Sequence, residues 1–187
     1  EFMEPSLDQS TTTFAETTIP KEKSFRHTIG LDDRASNSLP STFPWIVGHR
    51  GCLYEELENT RAGFQKCAQW GVDAAELDVF LLKCGTLVVF HGGGTDEHPG
   101  LLEDYCGVPG SILDYTYQEA LENLTFNPKF AEFGCSEEAV RRGSIPTLEE
   151  ILTDAKESGL EIKIELKGEG TAKPTVELVE RLDMMDQ

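Results

Sequence analysis

The sequence predicts an α/β fold, and two observations carry that prediction. From Pro44 to Phe80 the chain reads as strand, helix, strand, with a short loop after Gly71, the unit from which parallel sheets are built. From Glu161 to Lys167 aliphatic and charged residues alternate without a break, which is the period of a strand rather than of a helix. Four strands are expected in all, near residues 45–49, 74–80, 87–91 and 161–167.

In chain order, residues 1–42 are rich in Ser and Thr, contain Ser10-Thr11-Thr12-Thr13 and Lys21-Glu22-Lys23, and show neither helical nor strand periodicity. They read as a disordered leader before a domain spanning 43–187, and Glu1-Phe2 ahead of Met3 reads as a cloning scar or the start of a fragment. Pro44-Trp45-Ile46-Val47 reads as a short buried strand. Asn59 to Trp70 places Ala62, Phe64, Cys67 and Ala68 at helical spacing and stops at Gly71.

The second strand carries Glu76-Leu77-Asp78. Alternate strand residues share a face, so Glu76 and Asp78 put two carboxylates within reach of one ion, a hard-cation site in outline. If Lys83-Cys84-Gly85-Thr86 is a tight turn, counting outward from it pairs Phe80 with Val89 and Asp78 with His91. An excursion that returns parallel is the alternative. Either way His91 comes near Asp78. His49-Arg50-Gly51, where the first apolar run stops, would present an imidazole and a guanidinium at a strand end.

Between His91 and Ile145 the chain is less regular. Gly92-Gly93-Gly94 and the acidic loop after it either cover the site, with glycines that let a ligand approach the backbone, or form an ordinary surface loop. Tyr117 to Leu124 is helical. Pro146 to Ser158 reads as a helix with Pro at its start and Gly159 at its end. The alternating strand 161–167 has two readings: one face in water, or a closed barrel with aliphatics toward outer helices and charges toward the lumen. Pro174 to Met185 is amphipathic, with Val176, Val179, Leu182 and Met185 on one stripe.

The formal net charge of −18 excludes the usual nucleic-acid and anionic-membrane partners, because the summed field repels phosphate. A phosphate-bearing small molecule would need a cation at the site to reverse that field locally. No run approaches the roughly 20 apolar residues that span a bilayer. Five cysteines, Cys52, Cys67, Cys84, Cys106 and Cys135, lack metal-ligand spacing and read as reduced thiols in a reducing compartment, the cytoplasm. His27 and His98 fall in no motif.

Taken in order, Gly48-His49-Arg50-Gly51, Glu58-Asn59-Thr60 with Gly63-Phe64, Gly71-Val72-Asp73 leading into Glu76-Leu77-Asp78-Val79, Val88-Val89-Phe90-His91, Ile145-Pro146-Thr147-Leu148 and Ile162-Lys163-Ile164-Glu165-Leu166-Lys167 resemble the glycerophosphodiester phosphodiesterase family. The resemblance runs from residue 43 to about 170, the N-terminal half of such a domain. It implies a partial (β/α)8 TIM barrel of the PLC-like phosphodiesterase type, with about four of its strands present; a whole barrel takes about 250 residues. It chooses the lumen-facing reading of strand 161–167.

The resemblance further implies metal-dependent hydrolysis of a small glycerophosphodiester to glycerol 3-phosphate and an alcohol. His49 and His91 would be the acid–base pair, with either taking either role. Glu76, Asp78 and Glu165 would hold Mg²⁺ or Ca²⁺, and Arg50 and Lys167 would contact the phosphate. The nucleophile would be water or the neighbouring glycerol hydroxyl. Gly92 departs from the acidic residue common after the second histidine. Phospholipase D-like barrels of venoms and phosphatidylinositol-specific phospholipases share parts of the pattern, but the pairing of His-Arg-Gly with Glu-Asn-Thr favours the glycerophosphodiesterase. The competing expectation is an inactive half-barrel acting as a ligand-binding or interaction module, whose open sheet edge invites self-association.

Overall fold

The structure, a computed structural model, describes residues 44–133 and 135–185. The expected leader, with Glu1-Phe2 and His27, lies outside the described residues. The backbone forms β1 (Val47–Gly48), α1 (Arg61–Trp70), β2 (Ala74–Leu81), β3 (Leu87–Val89), β4 (Gly93–Thr95), β5 (His98–Leu101), α2 (Glu103–Cys106), α3 (Tyr117–Asn123), α4 (Glu137–Arg142), α5 (Leu148–Ser158), β6 (Glu161–Leu166) and α6 (Ala172–Arg181). Short 3-10 turns sit at Ile112–Asp114 and Pro128–Phe133.

The four expected strands make one sheet, and β2 is its spine. β1 and β6 both run parallel to β2, whereas β3 returns antiparallel through a tight turn. Val79 pairs with Leu166 on one side and Val89 on the other, while Ala74 and Ala75 pair with β6 and with β1. β1 and β3 therefore share one edge of β2 at different heights. β1 rises along that edge and β3 descends it, so the segments that follow them, His49-Arg50 and Phe90-His91, converge at the level of Glu76 and Asp78. No closed barrel is present among the described residues.

The hairpin register differs from the expectation by one residue: Val79 faces Val89 and Phe80 faces Val88, so Asp78 lies opposite Phe90, whose N–H donates to the Asp78 carbonyl at 3.0 Å. The cause is the turn. Leu82 and Thr86 are joined by a hydrogen bond, leaving three residues in the loop with Gly85 at φ 84°. A register shift exchanges the faces of a strand, and this one puts Val88 and Phe90 on the same face as Phe80.

Two cores follow from that alternation. On the helix side, Ala75, Leu77, Val79, Leu87 and Val89 pack with Phe64 and Cys67 of α1, Leu148, Ile151, Leu152 and Ala155 of α5, and Leu178 of α6. On the opposite face Phe80, Leu82, Val88 and Phe90 are covered by the 92–145 segment through Leu102, Ile112, Phe126 and Phe130. On β6, Ile162 and Ile164 pack toward the helices. Glu165, level with Asp78 in register, belongs to the other face, as barrel-like alternation requires.

Local chemistry sets the helix ends. Thr60 caps α1 by accepting from Gly63 N–H, and Gly71 closes it at φ 67°. α5 starts two residues later than the proline-led reading: Thr147 is the cap, in a capping box with Glu150, so Pro146 precedes the helix. Gly159 ends it in the left-handed region as expected. The α6 stripe is also rotated. Thr175 and Leu178 are buried, Val179 and Leu182 pack at the margin, and Val176 and Met185 are exposed. Nor is the first strand buried: Trp45, Ile46 and Val47 are 54, 51 and 42% exposed, because β1 pairs only with β2 along the described sheet.

The three successive glycines serve the fold. A Cβ at Gly92 would meet Gly100 Cα at 2.7 Å, and Gly93 and Gly94 form β4 against β5. The glycines permit close approach of the chain to itself in the hairpin that carries the cover.

Candidate active site

The β1 end supplies the first site residues. Arg50 (φ 57°) and Asn59 (φ 53°) both sit in the left-handed region, which costs each side chain about 1–2 kcal/mol. Two hydrogen bonds hold them there: Arg50 N–H donates to Glu76 Oε2 at 3.0 Å, and Asn59 N–H donates to the Arg50 carbonyl at 2.9 Å. Gly51 follows at φ 88°, and a Cβ there would meet Gly63 of α1 at 3.0 Å. The His-Arg-Gly run is thus a bent connection pressed onto the start of α1.

Three carboxylates gather where β2 and β6 run side by side. Glu76, Asp78 and Glu165 each offer an oxygen within 4.8 Å of the other two. Glu76 and Asp78 are 6% and 1% exposed; Glu76 Oε1 has no hydrogen-bond partner, and Asp78 Oδ1 is met by the Lys167 ammonium at 3.3 Å. Buried carboxylate oxygens are normally satisfied, and leaving them bare costs free energy. Their other oxygens are taken: Asn59 Nδ2 donates to Asp78 Oδ2 at 2.9 Å, and Arg50 N–H holds Glu76.

Four carboxylates (Glu58, Glu76, Asp78, Glu165) face two fixed cations, Arg50 and Lys167, so with neutral imidazoles the cluster carries two formal negative charges. Burial pushes the Glu76 carboxyl above its ordinary range; the Arg50 N–H and His49 oppose this, and Asp78 and Glu165 add to it. All-oxygen donors, a bare buried oxygen on Glu76 and a charge deficit of two fit a hard divalent cation.

Arg50 is held on several sides. Its Nη1 donates to Glu58 Oε1 at 3.2 Å and to Tyr105 Oη at 3.4 Å, and its Nε lies 3.4 Å from Asp78 Oδ2. Burial works against its charge, but Glu58, Tyr105 and Asp78 more than compensate and its pKa is raised. Lys167 Nζ lies 3.3 Å from Asp78 Oδ1 and also bonds Glu165, which its ammonium holds below the usual carboxylate range.

The two histidines differ. His49, with its side chain 65% exposed, puts Nε2 3.9 Å from Glu76 Oε2. His91 is engaged through Nδ1, 2.9 Å from Tyr105 Oη, and burial together with Arg50 lowers its pKa. All seven residues singled out in the sequence thus lie around this one cluster. His98 lies apart from it, exposed on β5.

Three participants were not singled out. Glu58 and Asn59 belong to a motif that carried the family resemblance, so their positions were visible though their part in the site was not. Tyr105 had no signal. It arrives on α2, its ring packed against Phe90 (5.3 Å between centroids) and Phe130 (5.2 Å), and only the fold of the 92–145 segment brings it to His91.

Comparison with known proteins places the chain in a family. The model of the glycerophosphoryl diester phosphodiesterase family matches residues 49–186. A glycerophosphodiester phosphodiesterase of Bacillus altitudinis is 34% identical over 133 residues, which are 71% of this chain and 49% of that protein. Among solved structures, a putative glycerophosphodiester phosphodiesterase from Galdieria sulphuraria superposes with a TM-score of 0.60 at 31% identity, covering 77% of this chain and 54% of that one. An Oleispira antarctica phosphodiesterase in complex with the product sn-glycerol-3-phosphate superposes with a TM-score of 0.58 at 28% identity, over 74% and 52% of the two chains. The chain spans about half the length of the curated relatives it matches.

Proposed function

The chain belongs to the glycerophosphoryl diester phosphodiesterase family, and from that premise we propose that it carries the metal-binding and acid–base side of a site that hydrolyses glycerophosphodiesters to glycerol 3-phosphate and an alcohol. The Bacillus altitudinis relative's name and the product bound to the Oleispira antarctica structure support this substrate class. The observation that carries the reading is the cluster of Glu76, Asp78 and Glu165, with the bare buried Oε1 of Glu76 and a deficit of two positive charges.

Glu76, Asp78 and Glu165 would hold Mg²⁺ or Ca²⁺. When bound, such an ion supplies charge to the phosphoryl oxygens and cancels the acidic field. Arg50 contributes a guanidinium oriented by Glu58, and Lys167 an ammonium held beside Asp78 and Glu165; both would contact the phosphate. The imidazoles carry the proton traffic, one accepting the nucleophile's proton and the other protonating the leaving alcohol, for roughly 10²–10⁴ in rate each. Among the described residues no helix is long and apolar enough to cross a membrane. The five free cysteines support a reducing compartment, the cytoplasm.

The test is release of glycerol 3-phosphate from glycerophosphocholine with Mg²⁺ or Ca²⁺, comparing the wild type with His49→Ala and Glu76→Ala. Activity lost in both variants and on chelation is expected. Equal activity in all three proteins, or indifference to chelator, would refute the reading.

A second reading, assembly of the sheet with another copy, is favoured by one observation: Ile46 just before β1, Val47 on β1 and Leu166 on β6 are 51, 42 and 44% exposed. Light scattering after size exclusion tests it, and a monomer at high micromolar concentration would dismiss it.

A further inference from the structure

We propose that Cys52 and Cys67 form a redox-modification site, a thiol pair that a low-molecular-weight disulfide oxidises to an intramolecular disulfide, tethering the His49-Arg50-Gly51 bend to α1. The inference stands apart from the phosphodiesterase reading. It rests on two sulfur atoms and on the backbone that holds them.

The two Sγ atoms lie 3.4 Å apart. Backbone bonds fix that approach: Cys52 N–H donates to the Gly63 carbonyl at 3.2 Å, and Gly63 stands one turn before Cys67 on the same side of α1. On its other side Cys52 closes a turn, its carbonyl accepting from Glu55 and Glu56 N–H at 2.9 and 3.0 Å. Neither segment depends on the sulfurs for its position. A disulfide bond is about 2.0 Å long, so bonding asks for an approach of about 1.4 Å, which rotation of the two side chains can supply.

The pair is unequal. Cys67 is fully buried in the helix-side core, whereas Cys52 is half-buried. Burial, and after it the contact with Cys52, push the Cys67 thiol up to about 12, so near neutrality it stays protonated. Cys52 is therefore the sulfur that meets the oxidant. Having released its proton, it attacks one sulfur of the small disulfide, whose S–S bond breaks, and the departing thiolate takes up a proton. Cys67 then gives its proton to solvent as its sulfur attacks Cys52 Sγ, and the second small thiol leaves. Two protein thiols lose two electrons and two protons, and the small disulfide gains them. In a reducing compartment the pair rests as thiols, and it closes when small disulfides accumulate.

What closure would act on is set by position. Cys67 Sγ lies only 2.5 Å from where a Cβ at Gly48 would stand, directly against the end of β1. Cys52 is two residues beyond Arg50. The bond thus forms beneath the connection that carries His49 and Arg50, and the Arg50 N–H that donates to Glu76 Oε2 lies in the tethered segment. Cys84 offers a contrast. It is exposed, and its sulfur meets Thr86 Oγ1 and Tyr117 N–H rather than a second thiol, so oxidation there stops at the mixed disulfide.

The test is incubation of the full chain with glutathione disulfide, an acid quench, alkylation of the remaining thiols and peptide mass spectrometry. A Cys52–Cys67 linked peptide is expected, with loss of both residues from alkylation, glutathione retained on Cys84, and full recovery of the five thiols in dithiothreitol. Cys52→Ser should form no linked peptide and should leave Cys67 alkylated after denaturation. The ¹⁵N–¹H resonance of Arg50 should shift on oxidation of the wild type and stay in place when Cys52→Ser is treated alike. Glutathione persisting on Cys52, both thiols still free once Cys84 is modified, or an Arg50 amide unmoved by oxidation would overturn the inference. Peptide mapping needs no variant to fold, and neither readout needs a diester to be turned over.

Discussion

Replacing Glu76 by Gln separates the cost of the acidic cluster from its use. In the metal-free protein the carboxylate is 6% exposed, has one bare oxygen, and sits beside Asp78 and Glu165. Its folded pKa lies above the ordinary value of 4.5, so the fold favours the protonated form. The sign follows: the stability associated with that form is full below pH 4.5 and is lost as pH rises through the raised folded pKa. At neutral pH Glu76 is a burden, and Gln, which keeps the acceptor for Arg50 N–H, should leave the chelated protein at least as stable as wild type.

With a cation the order reverses. A ligand at a hundredfold excess over its dissociation constant stabilises the wild type by about 2.7 kcal/mol, an upward shift of roughly 5–10 °C for a domain of this size. Two unit charges 4 Å apart near a protein surface attract by about 4 kcal/mol, and the ion is doubly charged, so losing one of three carboxylates exceeds the ~2.7 kcal/mol of a hundredfold weakening. At the same metal concentration Glu76→Gln should then gain only about 0.4 kcal/mol, roughly 1 °C. Differential scanning calorimetry with EDTA, Mg²⁺ and Ca²⁺ reads both halves. An equal metal-induced shift in wild type and variant, or a chelated variant several degrees less stable than wild type, would refute the reasoning.

Further outcomes follow from the same structure. Asp78→Ala strips the counter-charge from Arg50 Nε and Lys167 Nζ and a partner from Asn59, and should cost about 3–5 kcal/mol in urea denaturation. Phe90→Ala should cost about 3–5 kcal/mol on the same measure, because the ring is 1% exposed between Tyr105 and Phe126; amide exchange should quicken around Tyr105. Thr147→Ala removes the α5 capping box and should cost about 1 kcal/mol without altering the metal-induced shift.

The α/β class and the positions of the four sheet strands and of α1, α3, α5 and α6 were legible in the sequence because each rests on periodicity or on residues close along the chain, whereas the gathering of the seven candidate residues was implied by the family resemblance. Glu76 and Asp78 share a face by strand geometry alone, and Gly71 and Gly159 end helices because both adopt the left-handed conformation that glycine reaches freely. Thr147 displaced Pro146 as the start of α5 because a side chain that can accept from Glu150 N–H outweighs a preset φ.

What the tertiary structure decided were the relations that no local rule expresses. The hairpin register turned on three residues rather than four in the loop, and that single step put Phe90 under the cover instead of His91 opposite Asp78. β1 proved exposed because burial depends on which strands flank it, not on how apolar it is. Tyr105 reached His91 only through ring packing with Phe90 and Phe130, a contact between segments whose spacing in sequence carries no period. Chain-local chemistry thus determined which groups were available. Long-range packing, paid for by burial of side chains far apart in the chain, determined which of their atoms meet.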